Sequence, residues 1–212
     1  MSSPPAFRRL PRAVREQQML DAAVRAFSRR GFHAASMDEI AEDAGISKPM
    51  VYAYLGTKEA LFVACLHREG TRMVEAIAGA AAPDLPADER LWRGLRAFFG
   101  FVGAHRDGWV VLYRQARGEQ PFAGELAAMR SRMVEVVAGM LDHALLARGR
   151  EVRETDLEVI AYALVGATES LADWLADHPE ADPAKTATRM MNIAWLGADQ
   201  LLRGETWRSP AD

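Results

Sequence analysis

The sequence predicts an all-α fold of about nine helices, and three observations carry that expectation. Apolar residues recur at three- and four-residue spacing along most of the chain, strand-like alternation is absent, and Ala, Leu, Arg and Glu dominate between the Pro and Gly breaks. The chain has 212 residues, 50% of them hydrophobic and 26% charged, ordinary values for a globular protein that needs no staples to hold its core.

The elements follow in order. Residues 1–11, with Pro4, Pro5 and Pro11, read as a flexible basic arm. From Arg12 an amphipathic run places Val14, Met19, Leu20, Ala23, Val24 and Phe27 at helical spacing, and Gly31 closes it behind Arg29 and Arg30. Ser36 caps a short helix near 37–44, with Glu39 three residues on completing a capping box, and Gly45 ends it. Ser47 caps the next, where Pro49 sits in the first turn at no cost. That helix stops at Leu55 before Gly56, and Thr57 caps a longer one from Lys58 to about Ala80. After the break at Pro83 and Pro86, five more helices fall near 87–104, 107–117, 122–148, 156–177 and 184–203.

The charge is unevenly spread. The whole chain stands at -3, yet residues 1–60 carry nine Lys and Arg against seven Asp and Glu, and the first 30 carry seven against two. Basic charge gathered at one end suits a protein that meets phosphates only there. The single Cys65 excludes a disulfide framework within the chain and a multi-cysteine zinc site. No Glu-x-x-His pair, paired histidines, Walker A loop or nucleophile elbow is present, so no enzyme, metal site or cofactor is expected. No uninterrupted apolar run approaches a membrane span and no signal peptide opens the chain, which predicts a cytoplasmic protein.

Residues 35–54, ASMDEIAEDAGISKPMVYAY, fit a helix-turn-helix. Ile40, Ala44, Ile46 and Val51 supply apolar contacts between the two helices, Ala41 is small enough for their close approach, and Gly45 gives the turn its positive φ. The second helix then presents its N-terminal end to a major groove. Ser36, Ser47 and Thr57 stand at helix starts that favour a phosphate. Lys48, Tyr52, Tyr54 and Lys58 reach phosphates by side chain, although both tyrosines also fit packing beneath the following helix. Base reading falls to the exposed face of 47–54, chiefly Ser47, Lys48, Met50 and Ala53, with Pro49 among the residues expected to touch DNA.

Gly31-Phe32, Ser36, Ile40-Ala41, Ala44-Gly45-Ile46-Ser47, Val51-Tyr52, Tyr54-Leu55 and Lys58-Glu59-Ala60-Leu61 together resemble the N-terminal signature of the TetR family over roughly residues 12–72. The resemblance implies that Ser36, Ser47, Tyr52, Tyr54 and Lys58 touch DNA. It also implies a homodimeric regulator of operator DNA, usually a repressor released by a small-molecule inducer, with activation left open. Ala53 and Tyr54 depart from the aromatic and histidine frequent there, which bears on the operator sequence. The rival readings are another kind of helix-turn-helix protein and a helical enzymatic bundle.

Residues 73–212 then form the ligand-binding and dimerisation domain. The helix near 156–177 is apolar nearly all round and the last helix similarly so, which requires cover on two sides. Small residues on both, Ala163, Gly166, Ala167, Ser170, Ala194 and Gly197, with Leu201, are the expected dimer contact. Aromatic, methionine and polar side chains of the body helices mark the expected effector cavity: Phe98, Trp109, Tyr113, Met133, His143 and Glu169.

Overall fold

The computed structural model describes residues 11–119, 122–146, 149 and 154–203, and among them are nine helices and no strand. They are α1 (Arg12–Ala34), α2 (Met37–Asp43), α3 (Lys48–Leu55), α4 (Lys58–Ala80), α5 (Ala87–Ala104), α6 (106–118), α7 (Phe122–Leu146), α8 (Glu154–Asp177) and α9 (Pro183–Arg203). Most of the arm expected at 1–11 and the side chain of Leu201 lie outside the described residues.

Local signals set most boundaries. Ser36 Oγ accepts the Glu39 N–H at 3.0 Å and Thr57 Oγ1 accepts the Ala60 N–H at 3.2 Å. Two expectations change in detail. Only half of the capping box forms, because the Glu39 carboxylate turns to Arg30 Nε at 2.9 Å. The first helix kinks at Gly31 (φ 76°, ψ 168°) and adds one turn, closed by the Ala35 N–H on the Gly31 carbonyl. A left-handed φ is open to glycine without the steric penalty of a Cβ.

α1 buries Met19, Leu20, Ala23, Val24 and Phe27 against Leu61, Phe62, Cys65 and Leu66 of α4. Burial pushes the Cys65 thiol up to about 12, so it is an inert packing group. Phe122, at the start of α7, reaches into this head core. Its ring lies 4.3 Å from Phe62 and 5.0 Å from Phe32, so one buried cluster runs without a break from α1 to α9. In the body, α5 lies between α4 and α9, and α7 packs along α8. Helix α6 carries a wide π turn over Val110–Gln115, which no local propensity foretold. By length and composition α8 could cross a membrane, with a mean hydropathy of 1.2 over 18 residues, but Glu158, Glu169 and Asp173 interrupt its apolar run.

Candidate DNA interface and effector cavity

The α2–turn–α3 unit is built from inward-facing residues. Ile40, Ala41 and Val51 are buried, and the Ile46 N–H bonds the Ala41 carbonyl at 3.0 Å across the turn. Gly45 holds φ 67° with no atom near the position a Cβ would take, so the backbone conformation alone selects glycine. Arg25–Asp43 (2.9 Å) and Arg30–Glu39 (2.9 Å) tie α2 to α1 and fix the orientation of the unit.

Val51 is the only fully buried residue of α3, and Tyr54 and Leu55 pack against the core, so the opposite, exposed side of the helix is available to a partner. Ser47, Lys48, Pro49, Tyr52 and Ala53 are exposed, while Met50 and Tyr54 are half-buried. Ser47 holds the N-cap backbone conformation, but its hydroxyl accepts no helix N–H. Lys48 Nζ pairs with Asp38 at 2.9 Å, a hydrogen bond that raises its pKa, and a phosphate would compete with that carboxylate. Lys58 Nζ donates to the carbonyls of His33 (3.0 Å) and Ala35 (3.1 Å) and lies 4.8 Å from the Phe32 ring centre. A cation at the start of a helix is otherwise disfavoured; here it closes the exposed carbonyl end of α1. The ammonium's third donor is left over for a phosphate.

Two arginines were not singled out from the sequence. The Arg12 guanidinium stacks 5.1 Å over Tyr54, and Arg15 Nη1 approaches Met50 Sδ at 3.5 Å. Both belong to the basic run that opens the chain, and only folding lays that run beside α3.

In the body, a cavity of about 160 Å³ opens between α4 and the five helices that follow it. Phe98, Trp109, Tyr113, Met133 and Glu169 are brought together on its wall, with Met73 and Ile77 of α4. His143 is not: it is exposed near the end of α7, one turn beyond Met140, where that helix's part of the cavity wall stops. Glu169 accepts from Arg130 Nε (3.0 Å) and from the Tyr113 hydroxyl (3.2 Å). Burial first, and then the Glu169 charge, raise the Tyr113 pKa, while the Glu169 hydrogen bond raises that of Arg130. This trio forms a satisfied polar strip in an otherwise apolar lining.

The expected dimer residues divide. Ala163, Ala167 and Ser170 are exposed on α8 and Gly197 on α9, whereas Gly166 is half-buried beside Arg130. Ala194 is a correction: it is 3% exposed and lines the cavity, because its side of α9 packs inward. Larger side chains complete the outward face, namely Val159, Tyr162 and Trp174 on α8 and Ile193 on α9.

A helix-turn-helix head joined by one long helix to a cavity-bearing helical body defines a ligand-binding class of transcription regulator. The comparisons narrow the class. Residues 19–65 match the family described as "Bacterial regulatory proteins, tetR family", and residues 87–197 match "Tetracyclin repressor-like, C-terminal domain". The chain belongs to the TetR family of DNA-binding transcriptional regulators. It is 30% identical to the transcriptional activator FasR of Mycolicibacterium smegmatis, over 89% of this chain and 85% of that protein. A TetR-like regulator from Rhodococcus sp. RHA1 superposes with a TM-score of 0.78 at 50% identity, covering 90% of this chain and 99% of that one. FadR from Bacillus subtilis, solved with stearoyl-CoA, shares the fold at 16% identity and a TM-score of 0.74, covering 84% and 96%.

Proposed function

We propose that the protein is a homodimer that holds two operator half-sites and releases them when a small molecule fills the cavity. The observation that carries this reading is α4. It starts at Lys58 against the reading head and runs to Ile77 in the cavity wall, so one rigid element spans both sites. Ligand binding that favours one tilt of α4 changes the spacing of the two heads. Residues 12–72 act as the DNA-binding domain and 73–212 as the effector and dimerisation domain. Ser36, Ser47, Lys48, Pro49, Met50, Tyr52, Ala53, Tyr54 and Lys58 meet the DNA, joined by Arg12 and Arg15. Repression relieved by the effector is the first reading. Activation is the second, favoured by the printed role of FasR.

The experiment is selection of bound fragments from the native genome, followed by footprinting and a reporter fused to the protected promoter. Reporter output should rise when the gene is deleted if the protein represses and fall if it activates. Failure to enrich any sequence over bulk DNA would sink the reading. Lys58→Ala should weaken binding to every DNA sequence about equally and flatten the salt dependence by roughly one unit of slope per head. Unchanged binding at physiological salt would mean that Lys58 serves only the carbonyls of α1.

A further inference from the structure

The cavity wall holds two hydrogen-bond donors that the protein leaves unused. Trp109 is 2% exposed, and its buried indole N–H has no acceptor. Arg90 is half-buried, and its buried Nε likewise has no partner. Most buried polar groups are paired, and an unmet donor in an apolar site costs about 1–3 kcal/mol. Charge makes the second case sharper. Of the three charged side chains on the wall, Arg130 and Glu169 neutralise each other, and Arg90 has no carboxylate partner among the described residues. The cavity is therefore an apolar chamber with one uncompensated cation.

The two donors are also set apart. Phe98 meets Trp109 edge-on at 5.6 Å between ring centres and lies eight residues after Arg90 on α5. At 1.5 Å per residue that places the two points roughly 12 Å apart along the helix. Between them the wall is apolar, with Leu91, Gly94, Leu95 and Ile77.

We propose, resting on the effector reading above, that the ligand is an anionic amphiphile. Its carboxylate or phosphate sits on Arg90, its apolar chain lies along α5, and a neutral oxygen near the far end accepts the Trp109 N–H. A cation at the rim selects the head group, and the indole selects a chain with an inner acceptor over a plain one.

Calorimetric titration of the full-length protein with four probes tests this: decanoate, decyl phosphate, 1-decanol and 10-hydroxydecanoate. Decanoate or decyl phosphate should bind at least tenfold more tightly than 1-decanol, and the stronger of the two identifies the anion. The 10-hydroxydecanoate should bind several-fold more tightly than decanoate. Arg90→Gln should erase the preference for the anion, and Arg90→Lys should keep most of it. Trp109→Phe should erase only the preference for the hydroxyl. Equal affinity for decanol and decanoate, unaffected by Arg90→Gln, would overturn the proposal and leave the cavity an effector site for neutral molecules. Equal affinity for the two carboxylates, unaffected by Trp109→Phe, would overturn the inner acceptor. If no probe binds, the proposal is overturned.

Discussion

Glu69→Ala is expected to lower the stability of the protein by about 3 kcal/mol, a fall in Tm of roughly 6–12 °C. Glu69 is 1% exposed and lies where α1, α4 and α6 meet. Its Oε1 accepts from Arg68 Nε at 2.8 Å and from Arg72 Nη1 at 3.3 Å. Arg68 continues to Asp21 of α1 at 2.7 Å, and Arg72 meets His105 at the α5–α6 junction at 3.0 Å. Removing the carboxylate leaves Arg68, whose side chain is only 10% exposed, with Asp21 as its one anionic partner and the Gln17 carbonyl beside it at 3.4 Å. Taking away one member of a buried ion pair costs more than the pair contributes, because the other charge stays desolvated. Asp21 softens that loss and sets the estimate at the low end of the usual range.

The same carboxylate explains Gly108. A Cβ there would lie 2.6 Å from Glu69 Oε2, and that oxygen's carboxylate is held by two arginines and cannot swing clear. Gly108→Ala alone should therefore destabilise by about 1–3 kcal/mol, and in the Glu69→Ala background it should cost much less. Thermal melts of the two single variants and the double variant measure that coupling. Additive losses would mean that Gly108 and Glu69 do not meet. Hydrogen exchange gives a local readout: in Glu69→Ala the amides of α6 should lose protection before those of α2 and α3. Since α6 also carries Trp109, Leu112 and Tyr113 of the cavity wall, this ion network joins the cavity wall to the head.

What could be read from the sequence, and what could not, follows the range of the forces involved. Ser36, Gly45, Thr57 and Pro86 act within a few residues of themselves, so the helix starts and stops they set were legible. Small residues recur at helical spacing at Ala163, Ala167 and Ser170, which is why these three share one exposed side of α8. Failures came wherever a distant partner decided the outcome. Lys58 looks misplaced at a helix start until the carbonyls of His33 and Ala35 arrive beside it. Phe122 looks like a body residue until it stacks on Phe62. Glu69 reads as one charge among many on α4, and nothing local announces its burial. His143 and Ala194 were misassigned for the converse reason. A polar ring and a small side chain fit several sites, and only helix rotation settles that one is exposed and the other buried. The π turn at Val110–Gln115 shifts the register of α6, which no even 3.6-residue count could foresee.

A charge on the outward face of α8 and α9 is expected to have the largest effect on function. Val159 is 63% exposed on α8 and Ile193 67% on α9, with Tyr162 at 40% and Trp174 at 41% also on α8. Large apolar side chains exposed together in this way mark a contact site. With the small Ala163 and Ala167 between the large residues, the surface suits close approach of a second copy. In a two-fold dimer each surface meets its own copy, so one substitution enters the interface twice. Ala167→Glu and Ile193→Asp would each bury two like charges near the symmetry axis, at several kcal/mol without a compensating cation. Sedimentation should show the wild-type chain at twice the mass of either variant at micromolar concentration. Each variant should keep the helical circular dichroism of the parent, because both positions are solvent-facing within one protomer. Operator affinity should fall by about 10²–10⁴, since two heads on one dimer bind with an effective concentration that a free head lacks. The conservative Ala167→Ser should keep both the mass and the affinity. A monomeric wild-type chain, or an Ala167→Glu variant that stays dimeric and grips its operator, would show that this face covers something other than its twin.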